Sequence, residues 1–171
     1  MPPSDLERIF AALEGSGARY LVVGGVAVVL HGHPRFTADL DLALALDDRN
    51  VEKALAAVEG LGYRPREPVP LRAFTDPEQR ADWVRTKGMT VFSLWSADLP
   101  GTEIDLFVAD PLPFEVAWPR RLRADLGGLT VSVASLVDLI EMKRRAGRPQ
   151  DLEDVRQLEA IARELGDRGR G

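Results

Sequence analysis

The chain has 171 residues, of which 45% are hydrophobic and 29% charged, the range of one globular domain with a substantial core. Its formal net charge of -5 excludes a general nucleic-acid coat, because non-specific binding to DNA or RNA rests on clustered positive charge, while leaving room for a local basic patch. The absence of cysteine excludes disulfides, thiolate zinc sites and cysteine nucleophiles.

The opening Met1-Pro2-Pro3-Ser4-Asp5 has no basic stretch leading into an apolar one, and no apolar run approaches the roughly 18 residues of a membrane span. A cytoplasmic protein without membrane contact is therefore expected. Arginine outnumbers lysine, which occurs only at Lys53, Lys87 and Lys143. Neither an internal repeat nor a linker divides the chain, so a single domain is expected over 1-171, with a core over about 4-133 and a helical part over about 134-166. The Asp-Arg-Gly-Arg-Gly end, 167-171, is expected as a disordered tail.

In chain order, Ser4-Asp5-Leu6-Glu7 reads as a capping box opening a helix to about Glu14, which Gly15 and Gly17 end. Tyr20-Leu21-Val22-Val23 predicts a buried strand, and Gly24-Gly25 then opens a helical pattern through Val26, Val29 and Leu30. A second strand is expected over Leu40 to Leu44. Asn50 caps a predicted helix whose Val51, Ala54, Leu55, Val58 and Leu61 share one face, with Gly62 as its stop. Arg64 to Gly88, rich in proline and charge, reads as a mobile flap with one helix from about Pro77 to Arg85. Met89–Leu94 and Thr102–Val108 form a predicted hairpin about Pro100-Gly101, which makes the sheet mixed. Ser135 caps a helix to about Ala146, and a last helix is expected to pack Leu152, Val155, Leu158, Ile161 and Leu165.

Asp39-Leu40-Asp41-Leu42 carries the sharpest chemical signal. On a strand, residues i and i+2 share a face, so two carboxylates project together while the leucines enter the core. At about 6 Å and an effective dielectric near 20, their repulsion is on the order of 3 kcal/mol, which a divalent cation would relieve. Magnesium suits the arrangement, since it takes one or two carboxylates together with waters and substrate phosphates. Ile104-Asp105-Leu106-Phe107 again sets one acid among strand-forming apolar residues, and an adjacent strand would bring Asp105 beside the first pair. Gly24-Gly25, where a strand gives way to a helix, lets a phosphate approach backbone N–H groups. Thirteen residues separate Gly25 from Asp39.

Leu21-Val22-Val23-Gly24-Gly25, followed after that gap by Asp39-Leu40-Asp41-Leu42 and by a third strand acid, resembles the signature of the polymerase-β-like nucleotidyltransferase superfamily. Gly24 to Gly32 with Arg35-Phe36-Thr37-Ala38-Asp39 is similar to small bacterial minimal and abortive-infection-type members, as is Leu139-Ile140-Glu141-Met142-Lys143 with Gly147-Arg148-Pro149-Gln150-Asp151. Arg64 to Gly88 matches nothing in that group. The resemblance implies an α/β (α+β) fold, a short mixed sheet flanked by helices with a helical C-terminal region. It also implies that Asp39 and Asp41 hold two magnesium ions, with manganese as a substitute, and that Asp105 helps bind one and deprotonates the acceptor hydroxyl. Gly24 and Gly25 would contact the triphosphate of an NTP such as ATP. The acceptor would be an RNA end, a protein or a small molecule, and a toxin-antitoxin partner protein is among the expected partners.

Leu136, Leu139, Ile140 and Lys143 stand at i, i+3, i+4 and i+7, which puts the lysine on an apolar face, where it either meets a phosphate or the carboxylate cluster or snorkels past the helix edge. Arg35 and Arg148 are candidate phosphate contacts. Thr37 either contacts the nucleotide or shapes the turn before Asp39, and the turn is the favoured role. His31 and His33, lacking a third ligand, read as structural, as does Asp110 before Pro111. Arg120, Arg121, Arg123, Arg144, Arg145 and Arg148 either form a basic wall for RNA or a solvated face. The alternative to an enzyme is a non-catalytic nucleotide-binding or antitoxin-like module. A haloacid-dehalogenase-type phosphatase is disfavoured because Leu42 and Ala43 stand where its threonine would follow.

Overall fold

A computed structural model of the chain describes residues 2–168. Helix α1 (Pro3–Ser16) leads into strand β1 (Tyr20–Val22), helix α2 (Gly24–Leu30), strand β2 (Asp39–Leu44) and helix α3 (Asp48–Glu59). After them come β3 (Arg64–Pro65), a 3-10 turn at Leu71–Thr75, α4 (Pro77–Lys87), β4 (Val91–Trp95), β5 (Glu103–Phe107) and the short α5 (Phe114–Ala117). The hairpin β6 (Leu122–Leu126) and β7 (Leu129–Val133) and the helices α6 (Leu136–Ala146) and α7 (Pro149–Arg168) complete the chain. The strands form one mixed sheet in the order β3-β4-β5-β2-β1-β7-β6. This is the mixed α/β architecture expected of a nucleotidyltransferase. Among the described residues, no helix is long and apolar enough to cross a membrane.

Alternation along the strands divides the interior in two. Tyr20, Val22, Leu40, Leu42, Leu44, Ile104, Leu106, Phe92 and Leu94 point to one face, where α1, α3 and α4 bury them in the larger core. The other face carries Leu21, Val23, Ala43 and Ala45, buried against Leu112, Phe114, Ala117 and Ala134 in a smaller core. Beyond Ala43 that second face is left open, and Asp41 and Asp39 stand on it.

Several local expectations are corrected. The proposed capping box is absent: Pro2 is the N-cap without a side-chain bond, Pro3 supplies the preset first turn, and Asp5 is buried, accepting from the Thr102 hydroxyl at 3.3 Å. Asp47, not Asn50, caps α3, accepting from the Asn50 N–H at 3.0 Å, while the buried Asn50 amide ties the backbones of Arg19 and Ala45. Helix α3 ends at Glu59, ahead of Gly62. Arg64 to Gly88 is packed rather than a flap. Phe74 and Trp83 are buried, and both rings lie against Phe92, at centroid distances of 5.4 and 5.1 Å. Leu152 and Leu165 are exposed, whereas Val155 and Leu158 carry the packing of α7. That helix continues through Gly166 and Asp167 to Arg168, so the expected tail is helical to that point, and 169–171 lie outside the described residues.

Candidate active site

Strand β2 runs parallel to β5 with Asp41 directly opposite Asp105 and Asp39 opposite Glu103. Paired residues on neighbouring strands share a face, so Asp39, Asp41 and Asp105 project from one side of the sheet into one cleft. Leu40, Leu42, Ile104 and Leu106 anchor both strands from behind.

Strand β4 pairs with β5 so that Ser93 faces Asp105, and its hydroxyl donates to Asp105 Oδ1 at 2.6 Å. Burial raises the Asp105 pKa, the Ser93 bond pulls it down, and the charges of Asp39 and Glu103 raise it again. Asp41 is pushed up to about 6, first by burial and then by Asp105 and Asp39, against the opposing pull of Lys143 and the Gly25 N–H. The acids are thus crowded with like charge. The cleft's cations pair with other carboxylates, Arg35, Lys143 and Arg148 with Asp151 and Asp154, and Arg145 with Glu141.

Gly24 follows β1 with φ 64, a left-handed conformation suited to glycine. The stronger constraint is contact: a Cβ on Gly24 would lie 2.0 Å from Asp41 Oδ2, and one on Gly25 would lie 2.5 Å from Thr37 Oγ1. The diglycine therefore lets the Asp41 and Thr37 side chains close onto the backbone. Helix α2 has only seven residues, so its dipole adds little. The Thr37 hydroxyl donates to the Asp39 carbonyl at 3.3 Å, which is the turn-shaping role.

Lys143 is buried, as its helical position predicts, but its partners are acids of α7: Nζ lies 2.6 Å from Asp154 and 3.3 Å from Asp151. Arg35 pairs with the same Asp154, and Arg148 Nε donates to Asp151 at 2.6 Å. Burial pushes Asp151 up, but bonds from Arg148 and the charge of Lys143 hold it below the usual carboxylate range. Three cations share two buried carboxylates beside the acid trio, leaving a net positive wall.

Ser93, Asp151 and Asp154 are the side chains that sequence reasoning missed as parts of the site. The i, i+3 spacing of Asp151 and Asp154 on α7, one turn apart, was the available signal for the last two. His31 accepts its structural reading: Nε2 lies 2.8 Å from the Ala134 carbonyl oxygen, and burial lowers its pKa. The proposed basic wall is largely neutralised. Arg120 pairs with Asp138, Arg144 with Glu159 and Arg145 with Glu141, while Arg121 stacks 3.8 Å from the Trp118 ring centroid. Among the described residues, no three His, Asp or Glu side chains close into a formed metal cage.

A search of curated proteins gives no match. Among solved structures, ANT(2'')-Ia in complex with adenylyl-2''-tobramycin aligns with a TM-score of 0.60 at 17% identity, covering 97% of each chain. The solution structure of the same antibiotic-resistance factor also gives 0.60 at 17% identity, covering 97% of this chain and 91% of that one. The lincosamide antibiotic adenylyltransferase LnuA, lincomycin-bound, gives 0.60 at 16%, covering 92% of this chain and 96% of the other. At such identities the likeness establishes a shared fold. A family model described as nucleotidyltransferase of unknown function (DUF6036) matches residues 5–165, and the chain belongs to that nucleotidyltransferase family.

Proposed function

We propose that the cleft transfers a nucleoside monophosphate from an NTP to an acceptor hydroxyl, with magnesium held by Asp39, Asp41 and Asp105. The observation that carries this reading is the parallel register of Asp41 and Asp105 beside the Gly24 turn, with Asp39 on the same face.

The residues suit a hard divalent cation. They offer only carboxylate oxygens, and Asp41 is raised toward neutrality first by burial and then by its two neighbouring carboxylates. A cage complete without substrate is not required, because magnesium keeps waters and takes phosphate oxygens as further ligands. When bound, the metal supplies charge neutralisation at the phosphates and a lowered pKa for the attacking hydroxyl.

The chain's own groups account for the remainder. Gly24 and Gly25 present backbone unobstructed by side chains, which suits the approach of a triphosphate. Lys143, Arg35 and Arg148 bring positive charge to that side and draw Asp151 and Asp154 with them. Asp105, its pKa raised and its carboxylate oriented by Ser93, takes the proton of the acceptor hydroxyl. The acceptor oxygen then bonds to the α-phosphorus as the bond to the bridging oxygen breaks, and pyrophosphate leaves. The adenylyl transfer named for the matched structures supports ATP as the first donor to try.

The test is pyrophosphate release from each NTP with magnesium. Release should require the metal and disappear in Asp39→Asn; release undiminished in that variant would overturn the proposal.

A further inference from the structure

We infer that the acceptor is a small, uncharged hydroxyl compound with an apolar body, seated against Val91, Phe107 and Met142. The inference rests on the nucleotidyl-transfer reading and names the substrate class of the same cleft.

The sheet order sets the two sides. Strand β1, with its glycine turn, lies on one side of β2, and β5 and β4 lie on the other. The cleft-lining cations Arg35 and Lys143 belong to the glycine side: Arg35 Cζ lies 3.5 Å from where a Gly25 Cβ would stand, and Arg35 shares Asp154 with Lys143. A triphosphate held there leaves the β5 and β4 side of Asp105 to the acceptor. On that side Phe107 is the next residue of β5 on the same face as Asp105, about 7 Å along the strand. Val91 pairs directly with Phe107 from β4. Met142 reaches the same region from α6, and both it and Phe107 are only partly covered by the smaller core on which they pack.

This wall is apolar and incompletely buried, beside one carboxylate able to receive a hydroxyl proton. That combination of apolar body contact and few polar groups is how small-molecule pockets select their guests. The cleft, about 690 Å³, is of the size that holds small molecules. Polycations find little further free acid: among the described residues, Asp151 is the one carboxylate besides the trio that lines the cleft, already paired with Lys143 and Arg148, and Glu103 opposite Asp39 is held by Arg66. Polyanions such as RNA meet arginines already paired with this chain's own acids.

Ligand-observed saturation-transfer NMR on the full chain, with magnesium and a non-hydrolysable ATP analogue, tests the inference. The probes are 4-phenylbutan-1-ol, tobramycin and a short oligoadenylate RNA. Saturation should reach the aryl protons of the alcohol, and its affinity should fall about tenfold in Phe107→Lys and in Val91→Glu. Manganese in place of magnesium should broaden the alcohol's hydroxymethyl protons more than its aryl protons, a wild-type measurement independent of how the variants fold. No transfer to the alcohol, equal broadening at both ends, or cleft binding by tobramycin or the RNA in its place would overturn the inference. A parallel titration with the ATP analogue separates the two readings: nucleotide binding without alcohol binding removes this inference alone, whereas loss of both removes nucleotidyl transfer as well.

Discussion

The carboxylate of Asp41 rests on the α-carbon of Gly24, close enough that a methyl group there would meet Oδ2 at 2.0 Å. The glycine thereby serves the metal-ligand candidate directly, beyond any role as a turn.

Gly24→Ala should therefore cost more than its backbone conformation alone. Gly147, with nearly the same φ (66 against 64), is the matched control, because its Cβ would meet nothing nearer than the Arg144 carbonyl oxygen at 3.7 Å. Gly147→Ala should lose about 1–2 kcal/mol in urea denaturation, the left-handed penalty. Gly24→Ala should lose more and also weaken nucleotide binding in a calorimetric titration.

Asp41→Asn should stabilise the metal-free protein near pH 7.5. The folded carboxyl titrates at about 6, above its ordinary value of 3.8, so its contribution is fully present below pH 3.8 and is lost as pH rises through 6. Removing the charge should restore about 1–3 kcal/mol at pH 7.5 and almost nothing at pH 3.5, read as the difference between wild-type and variant thermal melts. Excess magnesium should shrink or reverse that advantage by stabilising only the wild type.

Lys143→Met should destabilise by about 3–5 kcal/mol, since it strips Asp151 and Asp154 of a buried partner. Adding Asp154→Asn should recover part of that loss, leaving the double variant more stable than Lys143→Met alone in urea melts.

Asp47→Ala should cost about 1 kcal/mol through loss of the α3 cap, while Ser4→Ala should change stability by less than about 0.5 kcal/mol. Equal effects in chemical denaturation would return the cap of α1 to Ser4.

Much of the candidate site's geometry was legible because its parts are local. The run from Tyr20 to Gly25, the alternation about Asp39 and Asp41, and the acid within Ile104-Asp105-Leu106 each announce strand and face from short-range pattern. Ser135, accepting from the Asp138 N–H at 3.2 Å, is a cap visible in the sequence and present in the structure. What escaped depends on distant partners. Ser93 meets Asp105 only through the hairpin register, which the two runs of apolar residues do not fix by themselves. Strands β6 and β7 carried a legible signal, since Leu122-Arg123-Ala124-Asp125-Leu126 and Leu129-Thr130-Val131-Ser132-Val133 alternate on either side of Gly127-Gly128, but the strand expectations stop at Val108. In the Arg64 to Gly88 stretch, charge and proline concealed Phe74 and Trp83, whose burial comes from Phe92, a residue of a later strand. Lys143 was placed correctly on an inward face, yet its counter-ions lie on the next helix, beyond the reach of periodicity within α6.

The parallel pairing of β2 with β5 also governs when the cleft comes into being. Parallel neighbours cannot be joined by a tight turn, and here the connection passes through α3, β3, α4 and β4 before Asp105 arrives. A folding chain that has docked β1 and β2 holds two acids and a glycine turn but lacks the third acid. If the proposed site is the catalytic one, regain of turnover during refolding should trail the earliest burial of the central strands.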